Sequence, residues 1–340
     1  MTKKITISLD CMGGDNAPNS VIEGMKLASQ EFKDEVKFLL FGDKSKIENL
    51  INKNSILSEY EIIDTGNDIV SPDEKPSIAI RKCRKSSMAL AIESVKLKNS
   101  DASISAGNTG ALMALSKIIL RTLPDITRPA LIQLMPNTNK GCTALLDMGA
   151  NIDCDYLNLC QFAVMGVAYY DALMSKEKPT VALLNVGSEE TKGNDVIKEA
   201  STFLKESKLS ENFTGFVEGN EILTGKVDVV VADGFAGNIS LKSIEGTSKV
   251  FSKFLKEMYS SNIFTKIGYL FVRRKLNKLK QMLNPEMYNG AMLIGLNGIS
   301  IKSHGNANGT AFYHAIKNTI NLVKSDINSK ITYLVNELEN

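Results

Sequence analysis

Short runs of apolar and β-branched residues alternate with longer helical patterns along almost the whole chain. Two of these runs, VALLNV and VDVVVA, are apolar nearly throughout instead of alternating with polar residues. Strands of that composition are covered on both faces, as in a parallel sheet that lies between two layers of helices. The alternation therefore predicts a doubly wound α/β architecture with a mostly parallel sheet.

The pattern places strands and helices over the full 340 residues. The predicted strands are Ile5–Asp10, Val36–Gly42, Glu61–Thr65, Ala102–Ala106, Ala130–Met135, Cys142–Met148, Thr180–Val186, Thr214–Glu218, Val227–Ala232 and Ala291–Leu296. The helices between them include Ser77–Leu97, Leu112–Leu123, Leu157–Met174 and Val196–Lys205. No repeat, low-complexity tract or Pro/Ser-rich linker interrupts the series, so we expect residues 1–340 to form one α/β unit.

The loops that follow five of these strands share a composition of Gly, Asn, Asp and Thr. They begin at Cys11, Gly107, Gly149, Gly187 and Asp233. Ligands of open parallel sheets bind outside the carboxyl ends of the strands, so we expect the five loops to converge at equivalent ends. The turn Gly107–Gly110 also opens a helix, whose unpaired N–H groups suit an anion. The alternative for this turn is an ordinary capped helix start.

Several familiar catalytic motifs are absent from the sequence. There is no GxGxxG after a strand, no GxxxxGK[ST], no HExxH, no paired CxxC and no GxSxG, and His304 and His314 are the only histidines. These absences argue against a standard dinucleotide site, a P-loop, a metal site and a hydrolase nucleophile elbow. We therefore expect no cofactor and no metal, and a site that acts by positioning an anion and by electrostatics.

Composition indicates the cellular compartment and argues against some classes of partner. The chain has 40 basic and 38 acidic residues, a net charge of +2, which gives no overall field for nucleic acid. Its five cysteines are scattered without a disulfide-like spacing, which is typical of a reducing compartment. The apolar run at the N-terminus is too short for the hydrophobic region of a signal peptide, and no apolar run in the sequence is long enough to span a membrane. We expect a cytoplasmic protein with no nucleic-acid partner.

A series of motifs resembles one known family along nearly the whole chain, roughly residues 5 to 320. In order they are LDCMGGDNAP, SAGNTGAL, RPALIQLMP, LLDMGANIDC, QFAVMG, LLNVGSEETKGN, GFVEGNEI, VVVADGFAGNISLKSIEG and SHGNANGTAF. Together they resemble the acyl-acyl carrier protein:phosphate acyltransferases of bacterial phospholipid synthesis. The sequence departs from the family pattern at Cys11, where Ala is usual, and at Ser188, where Gly or Glu is frequent. Neither change removes a charged or amide group.

The resemblance implies both a reaction and a fold. In the reaction, inorganic phosphate attacks the acyl thioester of acyl carrier protein and gives acyl phosphate and free carrier. The implied fold is the isocitrate/isopropylmalate dehydrogenase-like α/β sandwich, shared with phosphate acetyltransferases and usually homodimeric. Two alternatives stay open: a binding protein that has lost turnover, and an enzyme that uses acyl coenzyme A.

Four residues are candidates for the chemical step. Lys192 lies between Gly187 and Gly193 and can reach an anion without crowding, whereas a single lysine is otherwise a solvated surface charge. Asn238 can donate to the thioester oxygen, and Asp233 can orient Lys192; the alternative for both is a helix cap. His304 is a candidate for positioning or proton transfer, and His314 is expected to be structural.

Residues of the same loops are expected to bind phosphate and substrate. Asp10 and Asp15 flank the MGGD stretch and can position donors. The full set is Asp10, Gly13, Gly14, Asp15, Gly107, Asn108, Thr109, Gly110, Asn151, Gly193, Asn194 and Gly237.

Two basic segments suggest surfaces for partners. The first comprises Arg81, Lys82, Arg84 and Lys85 at the start of a predicted helix. It is either a solvated helix face or a docking surface for the acidic carrier protein. The second is residues 258–285, a basic amphipathic segment that we expect to protrude as a helix, with the cations Lys266, Arg273, Arg274, Lys275, Lys278 and Lys280 and no acid between Glu257 and Glu286.

The apolar residues of this second segment form two stripes. One holds Ile263, Phe264, Ile267, Leu270 and Phe271, and the other Val272, Leu276, Leu279 and Leu283. Because the stripes lie on roughly opposite sides at 100° per residue, either the helix breaks near Tyr269–Val272 or each stripe packs against something different. One interpretation is a helical hairpin in a dimer interface. The other is contact with anionic lipid through Phe264, Leu270, Phe271, Arg273 and Arg274, which would place the protein beside the membrane-bound glycerol-3-phosphate acyltransferase that uses acyl phosphate.

Overall fold

The computed structural model describes residues 4–282 and 285–339, with the side chains of 277–285 and 339 excepted. It contains an 11-stranded sheet of order β3-β2-β1-β4-β11-β10-β5-β6-β9-β7-β8. The strands are β1 (Ile5–Asp10), β2 (Val36–Gly42), β3 (Glu59–Asp64), β4 (Ala102–Ser105), β5 (Ala130–Pro136), β6 (Cys142–Leu146), β7 (Val181–Asn185), β8 (Phe213–Glu218), β9 (Val229–Val231), β10 (Ala291–Ile294) and β11 (Ile299–Lys302).

Helices cover both faces of this sheet. The helices of the described residues are α1 (Asn19–Glu31), α2 (Lys44–Ile51), α3 (Pro76–Lys82), α4 (Ser87–Lys96), α5 (Thr109–Leu120), α6 (Tyr156–Met174), α7 (Asp195–Glu206), α8 (Gly234–Ser260), α9 (Ile263–Met282), α10 (Gly309–Lys324) and α11 (Ile327–Glu339). Phe162 of α6 and Phe312 of α10 are buried in one apolar layer. Ile92 of α4 and Leu112 of α5 are buried in a second layer. The predicted α/β class with a mostly parallel sheet is confirmed.

Strand direction reverses in the middle of the sheet. The pairs β11–β10, β10–β5 and β5–β6 are antiparallel, and the other pairs are parallel. Consequently β1, β4 and β11 run one way, whereas β6, β7 and β9 run the opposite way. The expectation that the five glycine-rich loops leave equivalent ends of the sheet is wrong. It assumed parallel strands throughout, and three reversals send the loops to opposite ends.

The register nevertheless keeps the loops after β1, β4 and β11 close to those after β6, β7 and β9. Lys302 at the end of β11 pairs with Ala291, and Leu293, two residues further along β10, pairs with Leu131 of β5. Two residues of rise and two strand spacings separate Lys302 from Leu131, which amounts to about 12 Å. Because β10 is only 4 residues long, both groups of loops lie near the centre of the sheet.

Two predicted boundaries need correction. The predicted helix Ser77–Leu97 is in fact α3 and α4, separated by a turn in which the Ser86 hydroxyl accepts from the Ala89 N–H at 3.3 Å. A serine that bonds the backbone in this way starts a new helix instead of continuing the old one. Strand β11 was not predicted, because ISIK is short and half polar. Each predicted strand overlaps an observed one.

Helices α8 and α9 form a hairpin. It turns at Ser261–Asn262, where the Asn262 side chain accepts from the Thr265 N–H at 3.0 Å, and Tyr259 packs against Tyr269 with ring centroids 5.5 Å apart. Of the two alternatives for the apolar stripes, the break near Tyr269–Val272 is wrong, because α9 runs unbroken through it. Lys278, Lys280, Leu279 and Leu283 lie outside the described side chains. No helix of the described chain is long and apolar enough to cross a bilayer.

Candidate functional site

The loops that follow β1, β4 and β11 lie against one another, and we call them the β1–β4–β11 loops. The Asp15 N–H donates to the Gly305 carbonyl at 2.8 Å. A Cβ on Gly13 would lie 2.8 Å from the Gly107 nitrogen, and one on Gly14, at φ +106°, would lie 2.9 Å from the Ala106 Cβ. Only glycine allows backbones to approach so closely. The fold thus brings the predicted residues Gly13, Gly14, Asp15 and Gly107 together.

Asp10 is buried beneath these loops and organises them. Its carboxylate accepts from the Ser87 and Ser105 hydroxyls at 2.6 Å each and from the Met12 N–H at 3.2 Å. Burial raises the pKa of Asp10, and the two hydroxyl bonds oppose that rise. The carboxylate is therefore engaged by donors of its own chain, in keeping with the expectation that it positions donors.

The Gly107–Gly110 turn has the capped geometry that was the alternative interpretation. The Asn108 Oδ1 accepts from the Ala111 N–H at 3.0 Å, and its Nδ2 donates to the Pro72 carbonyl at 2.7 Å. The Asn108 amide is thus used within the chain. Thr109 is exposed at the first position of α5, and a Cβ on Gly110 would lie 3.0 Å from Pro76. The turn's role toward an anion stays a prediction.

Sequence analysis missed two residues that hold His304. Asn289 is fully buried; its Oδ1 accepts from the His304 N–H at 3.0 Å and its Nδ2 donates to the Ser303 hydroxyl at 2.8 Å. Lys302 is 9% exposed, and burial lowers its pKa to about 8. Burial, followed by the charge of Lys302, lowers the pKa of His304. The missed signal was a lysine at the end of the short run ISIK, directly before SHGN.

The second group, the β6–β7–β9 loops, is organised by Asp147, which was also missed. Its carboxylate accepts from the N–H groups of Leu131, Gly149, Ala150 and Asn151 and from the Asn151 side-chain amide, at 2.7 to 3.2 Å. All these partners are donors, so both oxygens act as acceptors, as those of an ionised carboxylate do. Burial raises the pKa of Asp147, and these bonds oppose the rise.

Asn238 lies over this loop at the start of α8. Its Nδ2 donates to the Met148 carbonyl at 3.0 Å, and a Cβ on Gly149 would lie 2.8 Å from that nitrogen. A Cβ on Gly237 would collide with the Asp147 carbonyl, so α8 approaches as closely as glycine permits. The predicted residue Asn151 supports the loop, because its amide donates to the Pro129 carbonyl at 2.8 Å. Asn238 itself is exposed.

A cavity of about 180 Å³ lies between the ends of β7 and β9 and the loop that follows β6, and Asn194 and Asp233 line it. Both residues are helix caps: Asn194 accepts from the Ile197 N–H at 2.9 Å and Asp233 from the Ala236 N–H at 2.7 Å. For Asp233 the capping alternative is therefore present in the structure. Its predicted action on Lys192 stays a prediction.

Lys192 is exposed, and its backbone is fixed. Its N–H donates to the Glu189 carbonyl at 3.0 Å, and its own carbonyl accepts from the Asn185 amide at 3.3 Å. Gly193 follows at φ +89°, where a side chain would collide with Asn185. The loop thus fixes the lysine backbone and leaves the side chain in solvent.

Helix α8 links the two groups of loops. It begins at Gly234 and carries Asn238 near its start, and Lys242 and Glu245 further along it act on the pKa of His304. The seven residues of helix from Asn238 to Glu245 span about 10 Å. The arrangement offers an amide, an imidazole and exposed lysines for an anionic reactant. No cluster of metal-ligating side chains is found among the described residues.

The predicted surface residues are all exposed. This holds for the basic run Arg81, Lys82, Arg84 and Lys85, which spans the end of α3 and the turn before α4. On α9, Phe264 is 81% and Phe271 84% exposed, and Leu270, Arg273 and Arg274 are exposed as well. Nothing else in the described chain covers this face of α9.

Comparison with known proteins gives consistent results. A family described as "Fatty acid synthesis protein" matches residues 5–330. A phosphate acyltransferase of Paramagnetospirillum magneticum is 49% identical, covering 97% of this chain and 94% of its own length. Those of Rhodospirillum rubrum and Ehrlichia canis are 46% and 44% identical, each over 97% of this chain and over 94% and 98% of their own lengths.

Two solved structures with the same fold are described as phosphotransacetylases. The one from Streptococcus pyogenes aligns with a TM-score of 0.63 at 16% identity and covers 95% of each chain. The one from Staphylococcus aureus aligns with a TM-score of 0.58 at 17% identity and covers 95% of this chain and 94% of its own. At such identities the likeness shows the fold alone.

Proposed function

Because the chain belongs to the phosphate acyltransferase family and is an acyltransferase, we propose that it makes acyl phosphate from acyl-acyl carrier protein and inorganic phosphate. A phosphate oxygen attacks the thioester carbon, the carbon–sulfur bond breaks, and the thiolate leaves and takes up a proton. The observation that carries this proposal is 49% identity over 97% of the chain to a phosphate acyltransferase. Relatives of this kind imply an acyl carrier and phosphate as reactants.

Phosphate is itself a nucleophile, so the protein has to hold a dianion and stabilise the oxyanion. Lys192 supplies the charge for phosphate, supported by its exposed side chain on a fixed loop. Asn238 donates to the developing oxyanion. One Nδ2 hydrogen is bonded to the Met148 carbonyl, which aims the amide and leaves the other hydrogen for substrate.

His304 serves the leaving group or the carrier thiol from the β1–β4–β11 loops. Its lowered pKa keeps the imidazole neutral at pH 7, the form that can accept a proton from one partner and donate to another. Asp233 orients the β6–β7–β9 loops through its cap on α8. The twelve loop residues named above contact phosphate or the acyl carbonyl, or shape the loops that do.

The decisive experiment mixes purified protein, phosphate and acyl-acyl carrier protein. We expect release of free carrier thiol together with acyl phosphate, trapped by hydroxylamine as the hydroxamate. Release that does not depend on phosphate would contradict the mechanism. A parallel reaction with acyl coenzyme A separates the carrier-protein enzyme from the coenzyme A alternative, and phosphate binding without either product would indicate a binding protein.

The basic run beside α4 supports acyl carrier protein as the acyl donor. Its four cations Arg81, Lys82, Arg84 and Lys85 are exposed. The guanidiniums of Arg81 and Arg84 donate to the backbone carbonyls of Ser77 and Ile80, one turn earlier, and bond no acidic side chain of the described residues. They are thus available to an acidic surface, where they would speed association more than they would strengthen binding.

The exposed face of α9 supports peripheral attachment to an anionic membrane. Phe264, Leu270 and Phe271 would enter the headgroup boundary while Arg273 and Arg274 meet the lipid charge. Such attachment fits a labile product whose consumer, a glycerol-3-phosphate acyltransferase, is membrane-bound. We therefore propose a cytoplasmic homodimer of the isocitrate/isopropylmalate dehydrogenase-like fold class held at the membrane surface, and the competing role for α9 is the dimer interface.

A further inference from the structure

A lysine lies buried among the β1–β4–β11 loops. Lys302 is 9% exposed, although lysine is almost never fully buried unless it is paired, because desolvating an ammonium is costly. It stands at the last position of β11, whose neighbours in the sheet are β4 and β10. A methionine or leucine would fill such a position without the cost of desolvating a charge, which indicates that the ammonium of Lys302 has a specific role.

The ammonium joins two backbone segments that carry predicted site residues. Its Nζ donates to the carbonyl of Ala106, at 3.4 Å, and to the carbonyl of Ser303. Ala106 directly precedes the Gly107–Gly110 turn, and Ser303 directly precedes His304. No hydrogen bond joins the two carbonyls themselves, since both are acceptors. A shared donor can hold them together.

Other bonds fix the same two segments independently. The Ser303 N–H donates to the Ser105 carbonyl at 2.9 Å, and Asn289 holds the Ser303 hydroxyl and the His304 N–H at 2.8 and 3.0 Å. Lys302 therefore completes a network in which the start of α5 and the imidazole-bearing loop are held in one geometry.

We propose that Lys302 is a positioning residue: its buried ammonium clamps the β4 exit to the β11 exit and so fixes His304 relative to the Gly107–Gly110 turn. The role of this geometry in acyl phosphate formation rests on the function proposed above. The clamp and its effect on His304 are properties of the fold and can be measured without catalysis.

The charge has a second consequence for His304. Burial is the first cause of the lowered His304 pKa, and Lys302 is the second, followed by Glu245, which raises it, and Lys242. Asp10 and Asp15 raise the pKa of Lys302, against the larger effect of burial, which lowers it. At pH 7 the ammonium stays charged, since its pKa is about 8, and the imidazole stays neutral. Removing the ammonium should let His304 take up a proton at higher pH.

The test compares Lys302→Met, which keeps the volume and loses the charge, with Lys302→Arg, which keeps the charge. The chain has 2 histidines, so the NMR titration of His304 can be assigned with a His314→Gln variant. We expect the His304 midpoint to rise in Lys302→Met and to stay near that of the wild type in Lys302→Arg. An unchanged midpoint in Lys302→Met would overturn the proposal.

The kinetic arm measures kcat/KM for phosphate against pH. We expect Lys302→Met to lower it by about tenfold to a hundredfold, the scale of a slightly misplaced group, and to move the acid limb to higher pH. Lys302→Arg should recover most of the loss. The buried residue Ile331 of α11 provides the control: Ile331→Ala lowers stability away from the site and should leave the pH profile unchanged. A profile that moves equally in Ile331→Ala would reduce Lys302 to a structural role.

If Lys302→Met does not fold, the double variant Lys302→Met/Asp10→Asn removes both buried charges, so that neither is left without the other. The NMR titration of His304 is then measured in the double variant. A wild type that makes no acyl phosphate, while His304 still shifts in Lys302→Met, would contradict the proposed function and support the clamp. The reverse pattern, normal turnover with no shift of His304, would contradict the clamp alone.

Discussion

Individual side chains divide into those that hold the loops and those free to meet a reactant. Asp10, Asp147 and Asn289 are buried and accept or donate hydrogen bonds within the chain. Lys192 and Asn238 are exposed, and the Lys192 backbone is held by the Glu189 carbonyl and the Asn185 amide. Because buried polar groups must be satisfied, the first set is devoted to geometry, and the second set can change its contacts when substrate arrives.

Lys192→Ala should lower turnover by on the order of a hundredfold or more, because it removes a positioned charge from an electrostatic site. Unfolding midpoints should stay near those of the wild type, since the side chain is exposed. Steady-state rates of acyl phosphate formation check this, with the neighbouring Lys198→Ala as control. Near-normal rates at saturating phosphate would remove Lys192 from the mechanism.

Asn238→Ala should reduce kcat by about a hundredfold while the KM for phosphate changes little. The contact assigned to its amide is with the oxyanion, which exists only as the reaction proceeds. Initial rates over a range of phosphate concentrations separate the two constants. A loss confined to the KM for phosphate would contradict the oxyanion assignment.

Asp147→Ala should lower the free energy of unfolding by about 3 kcal/mol, because it leaves a buried set of N–H donors without an acceptor. Urea denaturation measures the change. Asp153→Ala in the same loop is the matched control, since Asp153 is exposed. Equal stability of the two variants would show that the carboxylate does not organise the β6–β7–β9 loops.

Among the elements, the α8–α9 hairpin differs from the rest because its surface is not covered by the sheet. Its two helices have 27 and 20 residues, and Gly237 and Asn238 near the start of α8 contact the loops of the site. Tyr269 of α9 packs against α8, whereas Phe264 and Phe271 stay exposed, so this apolar face of the helix is left for another surface.

Phe271→Glu, or Arg273→Ala with Arg274→Ala, should weaken binding to anionic vesicles. The arginine pair should cost roughly thirtyfold in affinity, at about 1 kcal/mol per cation near the surface, and raised salt should have a similar effect. Co-sedimentation measures binding, with Arg81→Ala/Arg84→Ala as a control of equal charge, and turnover without lipid should persist. Unchanged sedimentation of both variants would favour the dimer-interface role for α9.

At the scale of the whole molecule, the buried cysteines make the stability of the fold depend on pH. All five thiols are free, and burial raises the pKa of each, to about 12 for Cys154 and Cys160. The folded state therefore keeps protons that the unfolded state loses above pH 9. This stabilisation is complete below pH 9 and is lost as pH rises toward 12.

Thermal melts between pH 8 and 10.5 should therefore show falling stability. Each thiol whose pKa is raised in the folded state lowers the free energy of unfolding by at most about 1.4 kcal/mol per pH unit above 9, and Cys160, which is buried, should come nearest to that limit. Lys302 has the opposite effect on stability: its pKa of about 8 in the folded state means that the folded protein gains stability as pH rises above 8. This gain comes from one group, whereas several thiols contribute to the loss. Midpoints that do not change over this range would contradict the burial of the thiols.

The sequence alone determined the α/β class, the position of each predicted strand and the glycine-rich loops, because these depend on local composition and on periodicity. Its motifs also predict Asn238 and His304 as site residues, and their roles stay predictions. It did not determine that the sheet reverses direction at its centre, since ISIK and AMLI read alike whichever way they pair. Nor did it single out Lys302, Asn289 or Asp147. Their roles come from residues far away in sequence that surround them after folding, and only the tertiary structure decides which polar groups are buried and which donors face them.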